Sequence, residues 1–235
     1  MRVCPITDIK AVVFDLDGTL VAFNLDYRAL RAEIRGYLIK KGVPASVLSL
    51  NENIFEMLQK TGVFAKNSGK SAEGMDRIRS EALSIAEKYE LEAAMDTGLL
   101  PGAVETLKTL RLMGLKIGLC TISSEKSASY ILQRFKIADL FDVIVTRNMV
   151  NQVKPNPEHL EAVLKALGVV PEESVVVGDS NSDIQCAKEL KAIAVGLPTG
   201  FSTIRQLMSQ GANYIITSIT DLPVLIEKIG KEPVK

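Results

Sequence analysis

Ala11-Val12-Val13-Phe14-Asp15-Leu16-Asp17-Gly18-Thr19-Leu20 is the stretch on which the fold turns. Its four leading apolar residues, two of them β-branched, predict a short strand buried on both faces, and the run stops abruptly at a carboxylate. Asp15 then stands at the carboxyl end of that strand, with Asp17 close behind, and Gly18 lets the backbone bend because it carries no Cβ. Open α/β sheets bind ligands at the carboxyl ends of their strands, so two carboxylates on one turn there are candidates for chemistry. Asp-Gly is also ordinary turn chemistry, and only partners elsewhere in the chain give the pair further meaning.

Downstream the texture is helical as far as about residue 96. A first helix over 26–40 carries Leu30, Ile34 and Leu38 on one face. A second is expected from Pro44, a residue suited to a helix start, with Val47, Leu50, Ile54 and Leu58 facing inward. A third over 71–94 repeats Met75, Ile78, Ala82, Ile85 and Tyr89 at the spacing of antiparallel helix packing. Between the last two, Lys66-Asn67-Ser68-Gly69-Lys70-Ser71 reads as a mobile polar loop; its Gly-Lys-Ser lacks the upstream glycine and strand of a phosphate-binding P-loop. Arg28, Arg31 and Arg35 line one side of the first helix, and the plain expectation for them is a solvated face, with a role in reading an anionic substrate as the alternative.

From residue 97 onward helices and strands alternate. Strands are expected at 116–120, 141–146, 174–177, 192–195 and 214–216, and helices at 103–113, 124–135, 157–167, 182–190 and 221–229. The pattern predicts an α/β fold, a doubly wound parallel sheet with a Rossmann-like core whose first strand is separated from the others by an inserted all-helical cap. The expected boundaries are 1–21 for the first part of the core, 22–97 for the cap and 98–235 for the rest of the core.

The 235 residues suffice to bury a core without disulfides. Lys+Arg and Asp+Glu both number 28, so no nucleic-acid or membrane-surface partner is advertised. No apolar run approaches the ~20 residues needed to span a bilayer. The opening residues, with Arg2, Asp8 and Lys10, carry no signal-type apolar core, so a cytoplasmic protein is expected. Cys4, Cys120 and Cys186 lack metal spacing, and the last two read as small buried hydrophobes. The single histidine, His159, excludes His-rich zinc sites and is expected as a solvated residue at a helix start.

Four further residues invite attention. Thr121 ends the second strand with a hydroxyl, commonplace in itself, and Ser123 and Ser124 after it read as helix caps. Lys154 precedes Pro155, which bars it from helical geometry, and Asn156-Pro157 caps and starts the next helix, so the lysine sits on a stiff loop. In Val175-Val176-Val177-Gly178-Asp179-Ser180-Asn181-Ser182-Asp183 a buried run again ends in an acid, Asp179. A second acid, Asp183, follows at a helix start, where it or Ser182 could serve simply as a cap.

Taken together and in order, Asp15-Leu16-Asp17-Gly18-Thr19, Leu119-Cys120-Thr121, Lys154-Pro155 and Gly178-Asp179 with Asp183 resemble the four signatures of the haloacid dehalogenase superfamily of phosphohydrolases. The helical insertion resembles its helical-cap subclass. Gly200-Phe201-Ser202-Thr203 and Gly211-Ala212-Asn213-Tyr214 resemble the tail of the phosphoglycolate phosphatase branch, and the chain as a whole is similar to the phosphoglycolate phosphatase and β-phosphoglucomutase group. The resemblance implies that Asp15 is a nucleophile forming an aspartyl-phosphate and that Asp17 is a general acid and then base, presenting its main-chain carbonyl to a metal. It implies that Thr121 and the amides after Asp15 cradle the phosphoryl oxygens, that Lys154 neutralises charge, and that Asp179 ligates the metal with Asp183 as second ligand or support. Carboxylates ~4 Å apart repel by about 4 kcal/mol at an effective dielectric of 20, so a cation is required, and Mg²⁺ suits an oxygen-only site shared with phosphate.

An acid at Asp17 is not needed by the dehalogenases themselves, which favours phosphate chemistry. The expected activity is Mg²⁺-dependent hydrolysis of a small phosphorylated metabolite by a monomer or homodimer, under a mobile cap. A phosphomutase, or a noncatalytic domain on the same fold, is the alternative. The chain departs from its branch at Ala22-Phe23, in place of an Asp-Ser pair, and at Ile122, in place of Asn, so the resemblance implies hydrolysis but leaves phosphoglycolate open as the substrate.

Overall fold

The computed structural model describes residues 8–69 and 71–230, so Arg2, Cys4, Lys70 and residues 231–235 lie outside it. Along the chain, β1 (Ala11–Phe14) leads into α1 (Tyr27–Lys40), α2 (Ile54–Asn67) and α3 (Ala72–Asp96). Then follow α4 (Ala103–Leu112), β2 (Lys116–Thr121), α5 (Glu125–Arg134), β3 (Val143–Thr146), α6 (Pro157–Leu167) and β4 (Ser174–Gly178). The chain continues through α7 (Asn181–Glu189), β5 (Ile193–Gly196), α8 (Ile204–Ser209), β6 (Tyr214–Ile215) and α9 (Leu222–Ile229). The strands form one six-stranded sheet in the order β3-β2-β1-β4-β5-β6, and every pairing is parallel.

β1 is the strand about which the winding reverses. Phe14 is in register with Leu119 of β2 on one side and Val177 of β4 on the other, and all four of its residues are fully buried. Successive side chains leave a strand on opposite faces. Ala11 and Val13 join Cys120, Val145 and Val176 beneath α6, α7 and α8, in a core with Val163, Leu164, Ile184 and Leu207. Val12 and Phe14 serve the opposite face, on which α4 packs against β2 and α9 against α4. Burying each such large apolar side chain contributes about 1.5–3 kcal/mol. Cys120 and Cys186 lie in this interior as free thiols, and burial pushes the Cys186 thiol up to about 12. Among the described residues, no helix is long and apolar enough to cross a membrane.

Among the described residues, 8–23 and 97–230 make one compact unit, and those of Asn24–Asp96 make another. In the second, α1, α2 and α3 bury Leu30, Ile34, Leu38, Met57, Leu58, Ile78, Ala82 and Ala86 against one another. The helix expected from Pro44 does not form there. Residues Ala45–Val47 make a single 3₁₀ turn, α2 starts only at Ile54, and Leu50 is exposed. The cause is local: Asn53 and Glu56 close a reciprocal capping box, which starts a helix after residue 53 rather than nine residues earlier. The irregular stretch needs donors for its carbonyls, and arginines supply them. Arg31 Nη1 donates to Leu50 O at 3.2 Å, and Arg35 donates to Leu48 O at 3.2 Å and Ala45 O at 3.3 Å. The arginine stripe is therefore a corrected expectation: Arg28 is exposed, whereas Arg31 and Arg35 brace a loop. In the other unit α8 is a helix that the sequence pattern does not predict. It is short, and Thr203 and Gln206 cap it in the same reciprocal fashion.

Candidate active site

The parallel sheet sets Asp15, Thr121 and Asp179 at the carboxyl ends of three adjacent strands, β1, β2 and β4, and Lys154 on the loop after β3. Asp15 N–H continues the ladder to Val177 O at 3.0 Å, so the residue is fixed as firmly as the strand. The chain then turns: Gly18 N–H donates to Val21 O at 2.8 Å, and Gly18 sits at φ 87°, in the left-handed region open to glycine. A Cβ there would lie 2.6 Å from Asp179 Oδ2 and 3.0 Å from Gly200 Cα, so the carboxylate has room only because the turn is bare. Gly200 faces the same carboxylate from the other side, and the Thr199 hydroxyl donates to Gly18 O at 2.5 Å.

Lys154 reaches into this cluster. Its ammonium donates to Asp15 Oδ1 at 2.7 Å, Asp183 Oδ1 at 2.5 Å and Cys120 O at 2.7 Å, which gives each of its three protons an acceptor. Burial opposes the ammonium, but Asp15 and Asp183 outweigh it and hold the lysine charged. Asp15 is pushed up to about 7 by burial and by the charges of Asp183 and Asp17, against the pull of Lys154. Asp179 is raised well above the carboxylate range by burial and by Asp15 and Asp183, with Phe201 N–H, 2.5 Å from Oδ2, working in the opposite direction.

Three buried carboxylates therefore cluster beside one ammonium, which bonds two of them, Asp15 and Asp183. Asp15, Asp179 and Asp183 each offer an oxygen, and these oxygens lie within 4.8 Å of one another. The surplus of buried negative charge and the all-oxygen donor set fit a hard divalent cation. The carboxylates differ in what already holds them. Asp183 Oδ2 accepts from the Ser180 hydroxyl at 2.5 Å and Ser180 N–H at 3.1 Å in the capping box that starts α7, while Oδ1 holds Lys154. The helix-cap reading of Asp183 and its place in the cluster are thus both true of one side chain. The Asp17 carboxylate is not one of the three. Its Oδ2 accepts from the Ser123 hydroxyl at 2.5 Å.

Thr121 is buried, and its oxygen accepts from Ser123 N–H at 3.1 Å, leaving its own proton to donate. Ser123, Thr199, Ser180 and Gly200 are the site's neighbours that sequence reasoning missed. Gly200-Phe201-Ser202-Thr203 carries only a resemblance to the tail of a branch, and no local pattern separates a serine that meets a distant carboxylate from one that caps a helix.

His159 overturns its expectation. It is fully buried, accepting from Lys154 N–H on Nδ1 at 3.5 Å with Nε2 3.3 Å from Val145 O, because α6 lays its first turn directly on β3. Burial, with help from the Lys154 charge, depresses its pKa from 6.5 to about 4. The unfolded chain binds this proton first, so the stability this group allows is complete above pH 6.5 and is lost as pH falls toward 4. At pH 5 the loss is expected to be about 2 kcal/mol. Urea unfolding at pH 7 and pH 5 checks it: His159→Asn should show a smaller difference between the two than the wild type.

The chain matches the sequence profile of the haloacid dehalogenase-like hydrolases over residues 9–191. The phosphoglycolate phosphatase of Shigella dysenteriae serotype 1 is 31% identical over 92% of this chain and 91% of its own. A hydrolase from Pseudomonas syringae superposes with a TM-score of 0.67 at 28% identity, over 94% of this chain and 99% of that one. The β-phosphoglucomutase of Clostridium difficile, 24% identical, shares the fold with a TM-score of 0.66 over 95% of this chain and 98% of its own. With its profile match spanning most of the sequence and a relative aligned along nearly the whole of both chains, this protein belongs to the haloacid dehalogenase-like hydrolases, among the phosphomonoester hydrolases of the phosphoglycolate phosphatase branch.

Proposed function

We propose that the chain hydrolyses a small phosphomonoester through an aspartyl-phosphate on Asp15, with Mg²⁺ as the resident cation. The observation that carries this reading is the buried set of Asp15, Asp179, Asp183 and Lys154 at the carboxyl edge of the sheet. Asp15 attacks phosphorus in line: an Asp15 Oδ–P bond forms as the P–O bond to the leaving oxygen breaks. Asp17 gives its proton to that oxygen, releasing an alcohol. Water then attacks the phosphorus while Asp17 takes one of its protons, and the Asp15 Oδ–P bond breaks, which frees the Asp15 carboxylate and inorganic phosphate. Lys154 holds Asp15 in place and offsets charge on the phosphoryl group, toward which Thr121 donates its hydroxyl proton.

Asp15 and Asp179, with the main-chain carbonyl of Asp17, would hold Mg²⁺, which supplies positive charge against the phosphoryl oxygens. Asp183, whose two oxygens are occupied by Lys154 and Ser180, supports the cluster. Expected partners are small phosphorylated metabolites, consistent with the balanced charge of the chain.

Phosphate release from p-nitrophenyl phosphate and a panel of metabolite monoesters, phosphoglycolate and sugar phosphates included, tests the reading with and without Mg²⁺. Metal-dependent turnover is expected. A folded protein that binds Mg²⁺ and turns over no panel member would overturn it. The bare glycine beside Asp179 gives a sharper check. A Cβ at Gly200 would overlap the Asp179 carboxylate and lie 2.8 Å from Gly18 Cα, so Gly200→Ala must displace that carboxylate. The Mg²⁺ concentration for half-maximal rate should rise by roughly 10–100-fold, the scale seen when a ligand loses its support.

A further inference from the structure

The loop after β2 divides its tasks residue by residue. The Ile122 carbonyl accepts from Arg147 Nη1 at 3.2 Å, and Ser124 caps α5 by accepting from Ser127 N–H at 3.2 Å. Between these anchors Ser123 is buried, and its N–H is tied to Thr121 Oγ1 at 3.1 Å. Its position is therefore set by the strand, by a buried arginine and by a helix start. From there the hydroxyl reaches across to Asp17 Oδ2, at 2.5 Å, although the two residues stand 106 apart in the chain.

We propose that Ser123 is the positioning residue for Asp17, a role that rests on reading Asp17 as the proton donor. A carboxyl group on a short side chain has two torsions to settle before its proton points at the leaving oxygen, and proton transfer needs that atom within hydrogen-bond reach. By donating to Oδ2, Ser123 fixes the plane of the group and assigns the mobile proton to Oδ1. As the P–O bond breaks, that proton passes from Oδ1 to the leaving oxygen. In the second half-reaction a proton of the attacking water returns to Oδ1. Ser123 keeps its own proton throughout, so the balance of the reaction is unchanged. Its hydroxyl is also compatible with both states of Asp17, because an ionised and a protonated carboxyl each keep an acceptor at Oδ2.

The consequence falls on leaving groups unequally. An alkoxide leaves poorly and needs the proton, whereas p-nitrophenolate leaves as a stable anion and needs little help. In kcat/KM, which reports the first half-reaction and not the dephosphorylation common to all substrates, Ser123→Ala is therefore expected to lower the value for the alkyl monoester turned over fastest in the panel by on the order of 10–100-fold, and that for p-nitrophenyl phosphate by less than about threefold. Ser123→Thr, which keeps the hydroxyl, should restore the alkyl rate to within about threefold of wild type. The alkyl-to-aryl ratio of one preparation does not depend on how much of the protein is folded, so a fall in that ratio is not produced by instability. Equal losses on the two substrates, or a threonine variant no better than alanine, would overturn the proposal. Asp17→Asn separates it from the reading beneath: a depressed alkyl-to-aryl ratio in Asp17→Asn but not in Ser123→Ala refutes Ser123 alone. An unchanged ratio in Asp17→Asn refutes the proton-donor reading, and the proposal with it.

Discussion

Asp15→Asn is expected to reduce phosphate release by on the order of 10⁴-fold or more while leaving the protein folded. An amide oxygen is a feeble nucleophile toward phosphorus, and Asp15 has no substitute within the cluster, since Asp179 follows β4 with Oδ2 held by Phe201 N–H, and Asp183 lies in the first turn of α7 with its oxygens held by Ser180 and Lys154. The architecture should survive, because Asn keeps an oxygen that can accept from the Lys154 ammonium where Oδ1 does at 2.7 Å. Removing one of three buried carboxylates also relieves their mutual repulsion. The melting temperature without added cation should accordingly be equal to or above that of the wild type, the reverse of what a damaged core would show. Loss of turnover together with a clearly lowered melting temperature would point to misfolding, and near-normal turnover would remove Asp15 as nucleophile.

Lys154→Met should produce the largest loss of stability of any single change at the site. The methionine roughly matches the lysine in volume, so the effect isolates the charge. The lysine side chain is 4% exposed, and deleting its ammonium leaves Asp15, Asp183 and the Cys120 carbonyl each without this donor. Breaking a buried pair by removing one partner typically costs about 3–5 kcal/mol, which for a chain of this size is a fall in melting temperature on the order of 10 °C. Activity should fall as well, by roughly 10²–10³-fold, as when one stabilising donor is taken from a transition state. A double variant with Asp183→Asn distinguishes lost pairing from lost packing. If unpaired carboxylate charge is the cause, the second substitution should recover part of the stability, and the two effects will fail to add. Strict additivity would show that the Lys154–Asp183 contact contributes nothing.

His159 and the arginines of α1 show where sequence reasoning stopped. A histidine at the first turn of a helix makes the same local pattern whether that turn faces water or a strand, and only the docking of α6 on β3 settled which. Arg31 and Arg35 likewise sit opposite an apolar stripe and read as solvated, until the carbonyls of residues 45–50 require donors. Pro44 offered a plausible helix start, but the box formed by Asn53 and Glu56 is the stronger signal, and it too was legible in the sequence.

The central strand, its termination at Asp15, the alternation of helices and strands after residue 97, the helical texture as far as about residue 96 and the set of acids and lysine that converge were all legible in the sequence alone. The secondary structure rests on local chemistry, namely β-branched runs, apolar periodicity, caps and a glycine where the backbone must bend, whereas the acids and the lysine are set together by their resemblance to the four signatures. Tertiary structure alone decided that Asp183 is held by both Lys154 and Ser180, that Gly200 stands bare beneath Asp179, and that Ser123 meets Asp17 across 106 residues. Those contacts join segments remote in sequence, and their distances follow from how the strand ends are brought into register. One-dimensional spacing carries no record of that geometry, because a hydroxyl or a glycine is chosen there for the atom it faces and not for the neighbours it has in the chain.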